Sequence, residues 1–227
     1  MIENKTIDLG ETGILITDMD DVLVNFSPVW YLKIRINWEF FKPYFKDFGN
    51  DITPLDVLNR KHYNLLTWLK RDDVEKIPDE ILKGYYSLYT DCDFYADCVP
   101  TPFCRVMQGL AQQKVCNKIY IISHALEGTH ESKINFYNRY LRNEKTDLIL
   151  APSNIKKSTI INENIGDFDL FVDDSSAIMT DVISNTDGYF KKFLYPILGH
   201  NDPERNPTLK KAAEEKKAFL YGYEEII

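Results

Sequence analysis

The stretch that decides the fold is Gly13-Ile14-Leu15-Ile16-Thr17-Asp18-Met19-Asp20-Asp21. A short apolar run that ends in carboxylates is typical of a buried strand delivering acidic side chains to its carboxyl end. Asp18 and Asp20 stand two residues apart, so they share a face if the strand continues and surround one pocket if the chain turns. The stretch therefore predicts a first strand and an acidic site at its end.

Four further apolar runs predict the remaining strands, at residues 118–122, 147–151, 169–172 and, more weakly, 189–195. Between them lie helical patterns with apolar faces, the first at Val106, Met107, Leu110 and Ala111, the second at Ile134, Tyr137, Tyr140 and Leu141. This alternation predicts an α/β fold with a Rossmann-like parallel sheet and helices on both faces. A last helix is expected to begin at Asn206-Pro207, to run to about Leu220 and to be mainly exposed to solvent.

The separation between the first two strands is too long for one crossover helix. Residues 27–100 are rich in aromatic side chains and have mostly helical periodicity, and Pro100 and Pro102 mark their end. We interpret this segment as a helical cap inserted after the first strand. The predicted organisation is an α/β core of residues 1–26 and 101–227 and a helical cap insertion of residues 27–100.

The composition of the chain limits the kinds of partner that the protein is expected to bind. Lys and Arg number 27 against 35 Asp and Glu, a net charge of −8 that disfavours binding to the backbone of long nucleic acids. No run approaches the roughly 20 apolar residues that span a bilayer, and the first 13 residues lack the apolar core of a signal peptide. The four cysteines form no CxxC pair, which favours reduced thiols over a zinc site: Cys92, Cys98, Cys104 and Cys116. We expect a cytoplasmic protein without membrane contact.

Carboxylates follow two of the predicted strands, Asp18 and Asp20 after the first and Asp173 and Asp174 after the fourth. Carboxylates gathered in one pocket repel each other unless a cation joins them. Mg²⁺ prefers oxygen ligands and needs only one or two carboxylates together with water and a substrate phosphate. An isolated Asp-x-Asp is usually a solvated turn, but a set of such motifs after apolar strands predicts a Mg²⁺ site.

Other strand ends supply complementary groups. Ser123 can donate a hydrogen bond after the second strand, and Lys157 brings positive charge after the third, with the adjacent Lys156 as the alternative. These parts suit phosphoryl transfer through a carboxylate, in which Asp18 attacks phosphorus and Asp20 protonates the leaving oxygen and then activates water. His124 is expected to line the phosphate pocket or to cap the turn that follows it.

The motifs resemble those of the haloacid dehalogenase-like phosphatase superfamily. Asp18-Met19-Asp20-x-Val22-Leu23 is similar to its first motif, Ser123 to the second, Lys157 to the third and Asp173-Asp174 to the acidic fourth. The resemblance implies an aspartyl-phosphate intermediate and a metal contact through the backbone carbonyl of Asp20. In the fourth motif it favours Asp174 as metal ligand, with Asp173 orienting the lysine or a metal-bound water.

A narrower resemblance is to the 5′(3′)-deoxyribonucleotidase group, in the opening Asp18 to Phe26, the segment 94–102 and the closing Gly199-His200-Asn201. It implies a nucleoside monophosphate whose base is held by aromatic cap residues, Phe26 among them, with Lys133 as a further substrate-binding residue. Phe26 could instead serve only to pack the cap on the core. Asp21 departs from the glycine common in that group and adds negative charge beside the nucleophile.

We therefore expect a Mg²⁺-dependent phosphomonoester hydrolase, most closely a 5′-nucleotidase acting on (deoxy)nucleoside monophosphates. The alternatives are a phosphatase of the same type acting on a sugar phosphate or a polynucleotide 3′-phosphate, and a catalytically silent nucleotide-binding protein. The sequence leaves the oligomeric state open, a homodimer included.

Overall fold

The computed structural model describes residues 12–49, 52–90, 93–187, 191–195 and 206–222. Within these ranges six strands form one sheet in the order β3-β2-β1-β4-β5-β6, and every neighbouring pair is parallel. The strands are β1 (Ile14–Thr17), β2 (Lys118–His124), β3 (Thr146–Ala151), β4 (Leu170–Val172), β5 (Lys192–Tyr195) and β6 (Phe219–Gly222). The predicted α/β fold class is confirmed, whereas the residue boundaries between core and cap stay a prediction.

β1 lies at the centre of the sheet, where the strand order reverses. Its last residue, Thr17, is in register with Ile121 of β2 on one side and with Val172 of β4 on the other. Because the carboxyl ends of parallel strands meet at one edge, the residues that follow β1 and β4 are brought together there. This register places Asp18 next to the acids at positions 173 and 174.

Helices cover both faces of the sheet, as the sequence predicts. They are α1 (Phe26–Ile36), α2 (Trp38–Phe41), α3 (Pro54–Leu58), α4 (Leu65–Leu69), α5 (Asp79–Thr90), α6 (Pro102–Gln112), α7 (His130–Tyr140), α8 (Lys157–Asn164), α9 (Ser176–Asn185) and α10 (Pro207–Lys216). Successive strand residues point to opposite faces, so Leu15 packs into one apolar cluster with α6 and α7 while Ile16 packs into the other with α8, α9 and α10.

Three of these helices begin with the same local device, a polar N-cap followed by proline. Thr53, Thr101 and Asn206 each accept a hydrogen bond from a backbone N–H of the first turn, and the next residue is proline in each case. The cap satisfies one of the unpaired N–H groups, and proline has no N–H to satisfy and a backbone angle suited to the helix. The sequence therefore sets these helix starts locally.

We call α1 to α5 the helical insertion, since they lie between β1 and β2 in the chain. Its aromatic side chains pack against one another, for example Trp30 on Tyr85 with ring centroids 4.3 Å apart and Phe41 stacked on Phe45 at 5.1 Å. These rings share one apolar cluster with Leu15 and Ile119 of the sheet. The insertion is therefore packed on the core rather than folded around a separate centre.

Two helix predictions are wrong in detail. α10 ends at Lys216 because Lys217 adopts a left-handed conformation with φ of 50°, and the chain then forms β6 through Leu220. The helix is mainly exposed, as expected, and packs on the core through Leu209, Ala212 and Ala213. For α7, Tyr137, Tyr140 and Leu141 of the predicted face pack against the core, whereas Ile134 is exposed. The side chains buried within the helix also include Ser132, Lys133 and Phe136.

Several sequence features lie outside the described residues: the first 11 positions, Cys92, Tyr189 and Phe190 of the fifth predicted strand, and Gly199-His200-Asn201. Among the described helices, none combines the length and apolar character needed to cross a bilayer.

Candidate active site

Three aspartates meet at the carboxyl edge of the sheet. Asp18 follows β1, Asp173 and Asp174 follow β4, and one carboxylate oxygen from each lies within 4.8 Å of the others. All three are buried, with exposed fractions of 7%, 0% and 2%. Hard carboxylate oxygens converging in this way are the donor set that Mg²⁺ prefers, so these residues fit the predicted divalent cation.

The electrostatics of the cluster favour a bound cation. Burial, opposed by Lys157 and reinforced by the charge of Asp18, raises the pKa of Asp173 from 3.8 to about 6. Burial and then the charges of Asp173, Asp21 and Asp18 raise the pKa of Asp174 well above its ordinary value. A cation placed among these oxygens would offset both causes, because it replaces lost hydration and screens like charges.

Lys157 supplies part of that positive charge. It is the first residue of α8, its side chain is buried, and Nζ donates to Asp18 Oδ1 at 2.6 Å and to Asp173 Oδ2 at 2.8 Å. Burial alone lowers the lysine pKa, but the carboxylates of Asp173 and Asp18 outweigh it and the net shift is upward. Lys156 points away and pairs with Asp181 at 3.2 Å, so Lys157 is the lysine in contact with the acids.

Asp20 lies beside this cluster with its carboxylate held separately. Tyr95 Oη donates to Oδ1 at 2.6 Å, and Lys133 Nζ donates to Oδ2 at 2.7 Å. The side-chain oxygens of Asp20 are outside the three-acid group, so its predicted metal contact depends on the backbone carbonyl that the resemblance implies.

Lys133 connects Asp20 to the end of β2. Its Nζ also donates to Ser123 Oγ at 2.6 Å and to the carbonyl oxygen of His124 at 2.9 Å. The His124 ring turns away, and Nε2 donates to the carbonyl oxygen of Ile155 in the loop before α8 at 2.8 Å. Ser123 and Lys133 are therefore brought to the acids, whereas substrate binding by His124 stays a prediction.

A cavity of about 210 Å³ lies between the acids and the helical insertion. Asp20, Asp21 and Asp174 line its core side. The insertion contributes an aromatic wall and a polar group of residues: Phe26, Trp30, Tyr85 and Tyr86, with Arg60, Tyr63 and Asn64. The aromatic wall suits an apolar, flat part of a ligand, and the acidic side would accept an anionic part of it through a bound cation such as Mg²⁺.

The Phe26 ring is placed for both roles considered from the sequence, packing of the insertion on the core and contact with a ligand. Its ring packs at 5.0 to 5.9 Å from the rings of Phe94, Trp30, Tyr89 and Tyr95, and it also lines the cavity. It can thus pack the insertion on the core and still present a face to a ligand.

Four residues of this region had no functional role in the sequence prediction: Asp21, Arg60, Tyr63 and Tyr95. Asp21 is not a free negative charge beside the nucleophile, because its Oδ1 accepts from Ser27 N at 2.8 Å and its Oδ2 lies 3.8 Å from Arg60 Nη2. Arg60 and Tyr63 belong to a polar segment without periodicity, so no pattern places them. Tyr95 could have been found only as part of segment 94–102.

Comparison with solved structures supports the fold. The chain is similar to a haloacid dehalogenase-like hydrolase from Bacteroides fragilis, with 13% identity, a TM-score of 0.59, and coverage of 96% of this chain and 100% of that one. A HAD-superfamily hydrolase of subfamily IA, variant 1, from Geobacter sulfurreducens PCA has 12% identity over 82% of this chain and 89% of its own, with a TM-score of 0.48. No protein-family model and no curated protein matches the chain. At such identities the first likeness shows a haloacid dehalogenase-like fold, and the activity has to be argued from the site.

Proposed function

We propose that the protein is a Mg²⁺-dependent phosphomonoester hydrolase that works through an aspartyl-phosphate. One observation carries the proposal: Lys157 bridges Asp18 and Asp173 inside a buried cluster of three aspartates, at the point where the strand order reverses. A nucleophilic carboxylate, a fixed cation and a metal-binding acid pair are what transfer of a phosphoryl group to a side chain requires.

In the first step Asp18 attacks phosphorus, a bond forms between its carboxylate oxygen and phosphorus, and the bond to the leaving oxygen breaks. The ammonium group of Lys157, 2.6 Å from Asp18 Oδ1, offsets the negative charge of the nucleophile and of the phosphoryl oxygens. When bound, Mg²⁺ would neutralise further negative charge on the acids and the phosphate. Asp173 holds Lys157 in place from the other side.

Asp20 handles the proton in both halves of the reaction. In its protonated form it gives a proton to the leaving oxygen, and as a carboxylate it then takes one from the water that hydrolyses the phosphorylated Asp18. Tyr95 and Lys133 donate hydrogen bonds to its two oxygens at 2.6 and 2.7 Å, and these bonds fix the orientation of the carboxyl group.

For the substrate we propose a (deoxy)nucleoside monophosphate. The aromatic wall of the cavity supports this, because a planar base can stack on Phe26 or its neighbours while the phosphate lies at the acids. A sugar phosphate has no planar group for that wall, and a polynucleotide would meet a chain with a net charge of −8. A cytoplasmic location and a homodimeric state stay predictions.

The proposal is tested by assaying hydrolysis of an aryl phosphate with and without Mg²⁺. We expect Mg²⁺-dependent turnover by the wild type, none by Asp18→Asn, and unchanged turnover by Asp187→Asn, whose side chain is exposed. Acid quenching during turnover should trap phosphate on residue 18 only. Nucleotide binding without turnover would instead identify a binding protein, and a screen of nucleoside monophosphates against sugar phosphates separates the two substrate classes.

A further inference from the structure

Asp21 occupies a position that its backbone makes costly for a side chain. It follows Asp20 with φ of 54°, in the left-handed region that favours glycine. Its carboxylate is buried and accepts hydrogen bonds from the backbone N–H and the hydroxyl of Ser27. Aspartate tolerates this conformation better than most residues, but an unusual side chain here points to a task for the carboxylate.

The partner that explains it comes from the helical insertion. Arg60 is 4% exposed, and its Nη2 lies 3.8 Å from Asp21 Oδ2. The same guanidinium donates to the carbonyl oxygen of Val57 at 2.9 Å and, through Nε and Nη2, to that of Tyr63 at 3.1 and 2.7 Å. Arg60 thus connects the two ends of segment 57–63 by hydrogen bonds. It also pairs with Asp21, the residue that follows Asp20 in the chain.

Tyr63 lies at the end of this segment. It lines the same cavity as Asp174, although part of its ring is exposed. A phenol hydroxyl is a hydrogen-bond donor, and this one belongs to a residue of the cavity that Asp20 and Asp174 also line.

We propose that Asp21 and Arg60 are positioning residues that hold segment 57–63 against the catalytic turn, and that they place the Tyr63 hydroxyl to donate a hydrogen bond to the phosphate ester. The inference rests on the proposed phosphomonoesterase function. In this proposal the Tyr63 hydroxyl of the insertion contacts the substrate. The buried ion pair between Asp21 of the core and Arg60 of the insertion keeps that hydroxyl in position. Removing one member of such a pair leaves the other buried and uncompensated, so the alignment is lost as a unit.

The test is a double-mutant cycle on the full chain, with kcat and KM measured for an aryl phosphate. Tyr63→Phe should lower kcat/KM by about tenfold through the lost hydrogen bond. Arg60→Met should lower it at least as much, and adding Tyr63→Phe to Arg60→Met should lower it no further, because a released Tyr63 has no contact left to lose. The matched control is Arg71→Met, which removes an exposed arginine–aspartate pair of the same insertion and should leave both constants unchanged.

Independent losses in the double variant, or an unchanged kcat/KM in Tyr63→Phe, would overturn the inference. If Arg60→Met does not fold, the cycle is run with Asp21→Asn, which keeps the shape of the carboxyl group but removes its charge. If the wild type turns over no phosphomonoester, the proposed function fails by itself. The cycle is then measured on the dissociation constant of phenyl phosphate by calorimetry, where non-additivity supports the positioning role and additivity or absence of binding rejects it.

Discussion

The two sides of the cavity are built in different ways. On the core side the cavity is lined by Asp20, Asp21 and Asp174. Asp174 belongs to the acid cluster, whose other members Asp18 and Asp173 follow strands and are bridged by the buried Lys157 in charged hydrogen bonds. On the insertion side the wall is made of aromatic rings and of a loop held by Arg60. Side chains fixed by a sheet suit chemistry that tolerates little displacement, whereas loops and packed rings can vary with the substrate.

This difference has a kinetic consequence. A change at the core side should lower kcat for every phosphomonoester alike, because it acts on the reacting atoms. A change in the aromatic wall should alter the ratio between substrates, because it acts on the leaving group.

After the complete loss of turnover expected for Asp18→Asn, the largest effect is expected for Asp20→Asn. The amide cannot exchange a proton, so we expect kcat to fall by about 10²–10⁴-fold for nucleotides and aryl phosphates alike. Formation of the phosphoenzyme should be slowed least for an aryl phosphate with a good leaving group, since that group needs little protonation. Hydrolysis of the phosphoenzyme is the same for every substrate and should be slowed equally. Rapid-quench measurement of phosphoenzyme formation and decay separates the two steps.

The control for that variant is metal binding, which should be nearly unchanged because the Asp20 side chain lies outside the acid cluster. Unchanged turnover would remove Asp20 from the mechanism. A loss confined to nucleotides would contradict the division between the two sides.

The adjacent lysines offer a matched pair. Lys157→Met removes the cation between Asp18 and Asp173, and we expect kcat to fall by roughly 10²–10³-fold, the usual cost of losing one electrostatic contact in a preorganised site. Lys156→Met removes only an exposed pair with Asp181 and should leave kcat unchanged. Equal losses in the two variants would show that the fixed cation is not the contact that matters.

The same division explains what could be predicted from the sequence. Asp18, Ser123, Asp173 and Asp174 follow apolar runs, so local pattern places them, and the topology of a parallel sheet brings their strand ends together. The apolar pattern of α7 places Tyr137, Tyr140 and Leu141 correctly but gives no sign that Lys133 is buried, because that lysine is held by Asp20, a contact made only in the folded chain.

For the insertion side, the sequence predicted the kind of structure but not the contacts of individual residues. Aromatic content predicted a packed helical segment, but Arg60 is set in place by the carbonyl groups of Val57 and Tyr63 and by Asp21, which are contacts made after folding. β6 was missed for a related reason. The α10 helix ends because Lys217 adopts a left-handed backbone conformation. Glycine is the residue that usually indicates such a helix end in a sequence, and here the position is lysine.

On the insertion side, Phe26→Ala should lower kcat/KM for nucleoside monophosphates. The loss should correspond to about 1–3 kcal/mol, the free energy of stacking one base on an aromatic ring, and kcat/KM for a small aryl phosphate should change much less. The matched control is Phe48→Ala, which removes a ring stacked on Trp68 at 4.4 Å elsewhere in the insertion. Equal losses for both substrates in Phe26→Ala would mean that the ring only packs the insertion on the core.

The smallest effect concerns the acid cluster itself. The pKa of Asp173 is raised from 3.8 to about 6, so its contribution to folding stability is complete below about pH 3.8 and is lost as the pH rises through about 6. Asp174 shifts in the same direction. Without metal, these two groups therefore make the protein less stable at neutral pH than at mildly acidic pH.

Mg²⁺ binds the ionised carboxylates and should oppose that loss. At a Mg²⁺ concentration about tenfold above Kd, we expect about 1.4 kcal/mol of added stability at neutral pH and less near pH 5, where the acids hold protons. Thermal unfolding with Mg²⁺ or with a chelator measures the difference in Tm. Asp174→Asn should abolish most of the Mg²⁺ effect and Asp187→Asn none of it. A Mg²⁺ shift that is equal at both pH values would place the bound cation outside this cluster and leave the acids at β1 and β4 to be stabilised by Lys157 alone.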